Sequence, residues 1–173
     1  MTRKPELLAP AGTREALDAA IREGADAVYF GGSRFNARIF ADNFAGDAMG
    51  EAIRACAFYG VKSNITLNTM PYEKEQADVL RYAEQLCRWG ADAVICADLG
   101  TASLLHRYFP TLALHASTQC MGHNTDAARF FAEQGFSRMV AARELSFDDL
   151  KRLCADSPIE TELFIHGAIC VSQ

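Results

Sequence analysis

The stretch Gly24-Ala-Asp-Ala-Val-Tyr29 recurs in this chain as Gly90-Ala-Asp-Ala-Val-Ile95. In both copies a glycine ends an amphipathic segment and a short apolar run follows it directly, which is typical of a helix that leads into a β-strand. Two joints of the same design predict repeated βα units, and such units build a parallel sheet covered by helices.

The same alternation extends outward from these joints over the whole chain, in units of roughly 20 to 35 residues. Seven strands are predicted, at residues 6–10, 27–31, 63–69, 93–98, 113–119, 138–144 and 160–166. A doubly wound sheet carries the pattern GxGxxG after its first strand, and none follows residue 10. An eight-stranded barrel typically needs about 250 residues. We therefore predict an α/β fold, a (β/α)8 TIM-barrel-like domain that is incomplete, with about seven βα units.

This single incomplete domain, residues 1–173, is expected to be the N-terminal part of a longer protein. A barrel that lacks a unit leaves strand edges whose N–H and C=O groups have no partner, and such edges pair readily with another chain. We therefore expect self-association through the open barrel edges.

Composition limits the classes of protein to consider. With 50% hydrophobic and 23% charged residues, the chain has the make-up of an ordinary globular domain. The formal net charge of -5 argues against a surface that coats nucleic acid, although a local basic patch at a site remains compatible with it. No apolar run approaches the roughly 20 residues that span a bilayer, and the N-terminus lacks the apolar stretch of a secretory signal. We therefore expect a cytoplasmic protein with no membrane segment.

Polar residues alternate along the odd-numbered strands. Side chains in a strand point to opposite faces in turn, so residues two apart share a face. In each odd-numbered strand the polar residues fall on one face, which is predicted to point into the barrel. They are Glu6 in the first strand, Asn64, Thr66 and Asn68 in the third, His115, Ser117 and Gln119 in the fifth, and Glu160, Glu162 and His166 in the seventh. The even-numbered strands are nearly all apolar until their ends, where Asp98 and the pair Arg143-Glu144 appear.

These polar positions predict either a hydrogen-bonded polar core or a hydrated pocket. An unpaired buried polar group costs about 1 to 3 kcal/mol, so a barrel built for stability alone would fill its interior with aliphatic side chains. Barrel enzymes place their sites at the carboxyl ends of the strands. Asn68, Gln119, Arg143 and Glu144 are the predicted substrate-binding residues there, and Arg38 in the loop after the second strand would add a positive charge for an anionic group.

Three kinds of chemistry remain open from the residue types. Ser117, His115 and Asp98 include the types of a nucleophile, a base and an orienting carboxylate, and His166 with Cys170 could form a thiol and imidazole pair. A metal could be held by the residues His115, His166, Glu162 and Asp98, although HxH and HExxH spacings are absent. Cys170 could ligate an iron-sulfur cluster if further cysteines followed it.

The segment Glu162-Leu-Phe164-Ile-His166-Gly167-Ala-Ile-Cys170 resembles the opening of the signature of the collagenase-like peptidase family U32. That signature continues into a second cysteine, which this chain does not contain. Five other segments resemble the family in the same order: Glu6-Leu-Leu-Ala-Pro10-Ala-Gly12, Gly24-Ala-Asp-Ala-Val-Tyr29, Phe35-Asn36-Ala-Arg38 with Asp42-Asn43-Phe44, His115-Ala-Ser117-Thr-Gln119, and Ala142-Arg143-Glu144-Leu-Ser146.

The resemblance implies a barrel domain followed by further cysteines. Some family members are named proteases. Others are oxygen-independent hydroxylases of ribosomal RNA, transfer RNA or a quinone ring, which use a four-iron four-sulfur cluster held by four cysteines, and Cys170 corresponds to the first of these ligands. The resemblance therefore predicts that the full-length protein is an enzyme that hydroxylates an RNA base. The alternatives are a peptidase acting on a peptide substrate and a non-catalytic scaffold. By itself the chain is expected to hold no cluster and to be inactive.

Overall fold

The computed structural model describes residues 4–37 and 43–167. Within them the strands are β1 (Leu8–Pro10), β2 (Ala27–Gly31), β3 (Lys62–Leu67), β4 (Ala93–Cys96), β5 (Ala113–Ala116), β6 (Phe136–Val140) and β7 (Glu160–Glu162). The helices that alternate with them are α1 (Arg14–Arg22), α2 (Asp47–Tyr59), α3 (Gln76–Trp89), α4 (Leu99–Tyr108), α5 (Thr125–Glu133) and α6 (Phe147–Asp156). All seven predicted strands are present, so the predicted succession of βα units is confirmed.

Local sequence determines where the helices begin and end. The Thr13 hydroxyl accepts a hydrogen bond from the Ala16 N–H at 3.2 Å and so caps α1, which satisfies one of the N–H groups that a helix start leaves free. At the other end, Gly60 and Gly90 follow α2 and α3 in the left-handed conformation, with φ of 70° and 87°. Glycine adopts this conformation without the steric penalty of a side chain.

The repeated joint has a structural role in both copies. After each helix-ending glycine, an aspartate turns back to the start of the neighbouring strand. Asp26 Oδ2 accepts a hydrogen bond from the Leu7 N–H, and Asp92 Oδ2 accepts one from the Ser63 N–H, both at 2.8 Å. The repetition therefore encodes one local device for fixing adjacent parallel strands, used twice.

The strands form one parallel sheet in the order β1-β2-β3-β4-β5-β6-β7. In a flat sheet β1 and β6 would lie five strand spacings apart, about 24 Å. The carboxylate of Glu6, just before β1, nevertheless contacts Arg138 of β6 and Lys62 of β3, each at 2.8 Å. The sheet is therefore curled into a partial barrel, as the sequence predicts.

The core lies between the outer face of this curled sheet and the helices. Val28, Ile65, Leu114 and Met139 point outward from their strands and are fully buried under helical residues such as Leu17 and Leu86. Apolar burial on this face stabilises the fold, and it leaves the concave face of the sheet free to carry polar groups. Among the described residues, no helix is long and apolar enough to cross a membrane.

Candidate functional site

A cavity of about 330 Å³ opens at the carboxyl ends of the strands, where barrel proteins place their sites. The predicted alternation of faces is confirmed there, because Thr66, Ser117 and Glu162, from three different odd-numbered strands or the residue just after one, all line this one cavity. Five of the predicted site residues line it, namely Asn68, Ser117, Gln119, Arg143 and Glu162.

Backbone and side-chain hydrogen bonds hold the lining amides in place. The Asn68 Oδ1 accepts a hydrogen bond from the Ala37 N–H at 3.0 Å, which ties the loop after β2 to the end of β3. Ser117 lies just after β5, where its hydroxyl accepts from the Gln119 N–H and donates to Gln119 Oε1, both at 3.3 Å. The cavity wall is therefore an ordered set of amide and hydroxyl groups.

Gly31 allows this wall to form at the end of β2. A Cβ atom at this position would collide with the Asn36 side-chain amide and would lie 2.6 Å from Thr66 Oγ1. Asn36 is buried and donates a hydrogen bond from Nδ2 to Asn43 Oδ1 at 2.7 Å. The missing side chain at Gly31 thus makes room for an asparagine pair in the cavity lining.

Arg143 and Phe164 form the wall between this cavity and a smaller one of about 190 Å³. The guanidinium carbon of Arg143 lies 4.0 Å from the centre of the Phe164 ring, a cation-π contact. Among the described residues no carboxylate pairs with Arg143, and its Nε is buried without a hydrogen-bond partner. The guanidinium therefore keeps its capacity to bind an anionic group.

An ion cluster occupies the barrel interior around Arg138, whose side chain is only 8% exposed. Arg138 contacts Glu160 at 2.6 Å, Glu6 at 2.8 Å and Glu162 at 3.6 Å, while Lys62 contacts Glu6 at 2.8 Å. The hydrogen bond from Arg138 lowers the pKa of Glu160. Burial opposes ionisation of Glu6, but the hydrogen bonds from Lys62 and Arg138 hold its pKa below the ordinary value.

His115 and Asn64 are interior polar residues that do not line the cavity. They stand two residues before Ser117 and Thr66 on the same strand faces, so they lie deeper in the barrel. His115 is 6% exposed and Asn64 is 1% exposed. Within the part of the chain that the structure describes, the Nδ1 of His115 and both side-chain polar atoms of Asn64 have no hydrogen-bond partner. Burial, together with the charge of Arg138, lowers the pKa of His115 to about 4, so its imidazole is neutral near neutral pH.

Three predicted site residues lie away from the cavity. Asp98 caps α4, with its Oδ1 accepting from the Thr101 N–H at 2.7 Å. Glu144 is 72% exposed and lies 3.9 Å from His123. His166 is exposed and lines the smaller cavity.

The structure therefore does not assemble the predicted group of Ser117, His115 and Asp98. The reason is that the Asp98 carboxylate is used as a helix cap, whereas the other two residues point into the barrel. Nor do the described residues contain any group of three or more His, Cys, Asp or Glu side chains that could hold a metal. The predicted four-residue metal set is not brought together, because Asp98 and His166 point elsewhere. Arg38 and Cys170 lie outside the described residues.

The role of Arg138 in the barrel interior is not predicted from the sequence, which indicates a nearly apolar sixth strand. That prediction is wrong at this residue, which points inward and is buried among acidic partners. The sequence did contain a sign of this role. Arg138 is a single cation in an otherwise apolar strand, and the first and seventh strands carry acidic residues that alternation places on their inward faces. The asparagine pair Asn36 and Asn43 was also missed, because both come from a loop whose path periodicity does not predict.

Comparison with known proteins places the chain in a family. The model of peptidase family U32 matches residues 12–173. A tRNA hydroxylation protein of Bacillus subtilis is 36% identical over 99% of this chain, and a 23S rRNA 5-hydroxycytidine synthase of Escherichia coli is 39% identical over 96% of it. The chain spans 41% and 25% of the lengths of these two relatives.

A comparison with solved structures agrees with this family assignment. The solved structure of the U32 peptidase Mk0906 superimposes with a TM-score of 0.71 over 94% of this chain and 70% of that one, at 10% identity, so it supports the fold alone. The family model covers nearly the whole sequence and the two relatives align along almost its full length. This chain belongs to peptidase family U32.

Proposed function

We propose that the protein to which this chain belongs hydroxylates a base in RNA. The cavity at the carboxyl ends of the strands is the observation that carries the proposal, because it combines amide and hydroxyl groups with an aromatic ring, Phe164. Enzymes that modify a base take it out of its stack into such a pocket, where polar groups read its edge and a ring contacts its face. The two relatives named for tRNA and rRNA hydroxylation support the same substrate class. We propose that the protein acts on this RNA in the cytoplasm.

Arg143 is proposed to receive a phosphate or another anionic group of the substrate. Its guanidinium is oriented by Phe164 at the cavity edge and has no carboxylate partner among the described residues. An arginine in this state binds phosphate oxygens through charge-assisted hydrogen bonds. Arg38, from the loop that the sequence places at the same mouth, is proposed to assist it. Gln119 and Asn68 supply amide groups for the base.

We further propose that Cys170 is the first ligand of a four-iron four-sulfur cluster. Two of the described cysteines do not suit this role, because burial raises the pKa of Cys96 to about 12 and that of Cys120 to about 11, which disfavours the thiolate that ligates iron. The proposal requires Cys170 together with further cysteines of the protein. Such a cluster supplies one-electron redox chemistry. Full-length protein purified without oxygen should contain iron and absorb visible light, and Cys170→Ala should lose both; colourless, iron-free wild-type protein would refute the proposal.

The Gly31→Ala substitution tests the proposed function at the cavity. The new methyl group would collide with the Asn36 amide, which lines the cavity, and force it to move. Small misplacements in a site cost one to two orders of magnitude in rate. In a strain that lacks the gene, we expect the wild-type gene to restore hydroxylated nucleosides in tRNA or rRNA, measured by mass spectrometry. We expect the variant gene to restore them at least about tenfold more slowly.

Gly100→Ala is the matched control for this prediction. A Cβ at Gly100 meets only Asp98 Oδ1, at 3.4 Å, in α4 and away from the cavity. It should restore the modification at the wild-type rate. Unchanged RNA nucleosides in the deletion strain would refute RNA hydroxylation itself, whereas equal rates for the two alanine variants would refute the role of the cavity.

Peptidase activity is the second candidate, because the family model carries that name. Ser117 is the candidate nucleophile that lines the cavity. Its hydroxyl is hydrogen-bonded to Gln119 and not to a histidine. If the protein is a peptidase that uses this hydroxyl, Ser117→Ala will abolish hydrolysis of gelatin by the purified full-length protein. A scaffold would show neither hydrolysis nor any change in RNA nucleosides on deletion.

Self-association is proposed for the chain in isolation. Strands β1 and β7 each have a hydrogen-bonded strand on one side only within the described residues, and open edges of this kind template pairing with another chain. Light scattering coupled to gel filtration should give a mass above the 18.9 kDa of one chain, rising with concentration. A constant mass of one chain at all concentrations would contradict this expectation.

A further inference from the structure

The charges of the ion cluster inside the barrel sum to zero when one of its three carboxyl groups is protonated. Two cations, Lys62 and Arg138, face three carboxyl groups, those of Glu6, Glu160 and Glu162. With all three ionised the cluster carries one net negative charge, and this is costly for its buried members, Arg138 and Glu162, whose side chains are 8% and 14% exposed. With one of them protonated it is neutral. His115, which also faces the cluster, adds no charge in its neutral form.

Contacts within the cluster decide which carboxyl carries that proton. Glu160 takes two hydrogen bonds from Arg138, at 2.6 and 3.0 Å. Glu6 contacts Arg138 and Lys62, both at 2.8 Å. Within the described residues, Oε1 of Glu6 and Oε2 of Glu162 both lack a hydrogen-bond partner. The other oxygen of Glu6 accepts a hydrogen bond from Lys62, however, whereas Glu162 has only an ion-pair contact of 3.6 Å to Arg138. Of the three carboxyl groups, that of Glu162 therefore has the weakest contacts with the two cations and holds a proton most readily.

Burial and position single out the same residue. The Glu162 side chain is 14% exposed, against 59% for Glu160. Burial raises the pKa of Glu162 despite the charge of Arg138, whereas Glu160 has a lowered pKa. Of these two carboxyl groups, only that of Glu162 lines the 330 Å³ cavity. The carboxyl that is most readily protonated is thus the one that a ligand in the cavity would contact.

Two neighbours in the interior also lack partners. Asn64 and His115 are more than nine-tenths buried, on the inward faces of β3 and β5. Among residues 4–37 and 43–167, the Asn64 amide and the His115 Nδ1 have no hydrogen-bond partner. Buried polar groups without partners cost stability. Because these groups lie beneath the cavity, they indicate an interior that can bind a polar ligand or ordered water.

We propose that Glu162 determines the specificity of the cavity: it contacts the ligand as a neutral carboxylic acid and pairs with an edge that presents one hydrogen-bond donor beside one acceptor. This deepens the proposed function and rests on it for the identity of the ligand as a base. A protonated carboxyl donates through O–H and accepts through C=O, whereas an ionised carboxylate only accepts. Uracil and cytosine both present a donor beside an acceptor on their pairing edges, so one carboxyl fits either ring.

The test uses the isolated chain with uridine as the probe. The Glu162 carboxyl is followed by NMR of chain labelled with ¹³C-glutamate and assigned by the signal lost in Glu162→Gln. We expect it to titrate above the ordinary 4.5. Because binding needs the proton, the affinity for uridine is present below the titration midpoint and falls about tenfold per pH unit above it. N3-methyluridine, which lacks the donor, should bind at least about tenfold more weakly.

Three variants separate this role from a structural one. Glutamine offers one donor and one acceptor at every pH, so Glu162→Gln should bind uridine with unchanged affinity and lose the pH dependence. Glu162→Ala should weaken binding at least about tenfold. Glu144→Gln removes an exposed carboxyl outside the cavity and should behave as wild type.

The outcomes that overturn the proposal are equally specific. They are a Glu162 carboxyl that titrates at or below the ordinary value, a Glu162→Gln variant that no longer binds uridine, and a wild-type chain that does not bind uridine below the midpoint. These measurements concern the isolated chain, whereas RNA hydroxylation is measured on the full-length gene product in cells. Failure of one is therefore distinguishable from failure of the other.

Discussion

Replacement of Arg138 with alanine is expected to lower the free energy of unfolding by about 3 kcal/mol. Arg138 is the cation shared by Glu6, Glu160 and Glu162, and its side chain is 8% exposed. Removing one partner of a buried ion pair leaves the others uncompensated in a low-dielectric interior, and the loss of the packed aliphatic stem adds to this cost. Guanidinium denaturation of the purified chain near neutral pH measures the effect.

Arg129→Ala is the matched control, since Arg129 also pairs with a carboxylate, that of Asp126, but on the surface of α5, where its side chain is 61% exposed. Surface pairs of this kind contribute less than about 1 kcal/mol. An Arg138→Ala variant as stable as Arg129→Ala would show that the interior cluster does not stabilise the curled sheet.

The stability of the fold is expected to fall by about 2 kcal/mol between about pH 7 and about pH 5 through His115. The pKa of this imidazole is about 4 in the folded chain and 6.5 ordinarily. Below about 6.5 the unfolded chain takes up a proton that the folded chain does not, so stability is lost as the pH falls. The loss is complete only near the folded pKa.

His115→Asn should remove this part of the pH dependence, and the difference between the two proteins at each pH is the quantity to measure. The difference matters because Glu162, with its raised pKa, acts in the opposite direction: its contribution is present at low pH and lost as the pH rises. His123→Asn, which removes a partly exposed imidazole, controls for the loss of a histidine. Parallel pH profiles for the wild type and His115→Asn would contradict a buried, neutral His115.

The order and type of the elements could be predicted well because their signals are local. The helix-ending glycines and the apolar runs after them mark each joint, and the alternation of faces placed Thr66, Ser117 and Glu162 on one concave surface, as observed. Predicted strand ends ran too far, for example to residue 69 where β3 ends at Leu67. Side-chain alternation continues past the last ladder hydrogen bond, so it does not mark that boundary.

The composition of the site was less predictable. Asp98 has the residue type of a catalytic carboxylate and follows a strand, yet its position before α4 makes it an N-cap. Sequence patterns do not separate the two roles, since both use a carboxylate at a strand-to-helix junction. His115 faces inward as predicted, but the depth at which it lies below the cavity depends on the stagger of neighbouring strands, which includes a register shift between Leu114 and His115.

By itself the sequence determined the βα succession, the inward parity of the polar residues and the family, because these depend on contacts a few residues apart or on motif order. Only the tertiary structure decided which of those residues meet. Arg138 and Glu6 are far apart along the chain and come together because the sheet curls. In the described structure Glu162 then lines the cavity with its Oε2 unpaired. Curvature and stagger are properties of the whole packed sheet, so no local pattern specifies them.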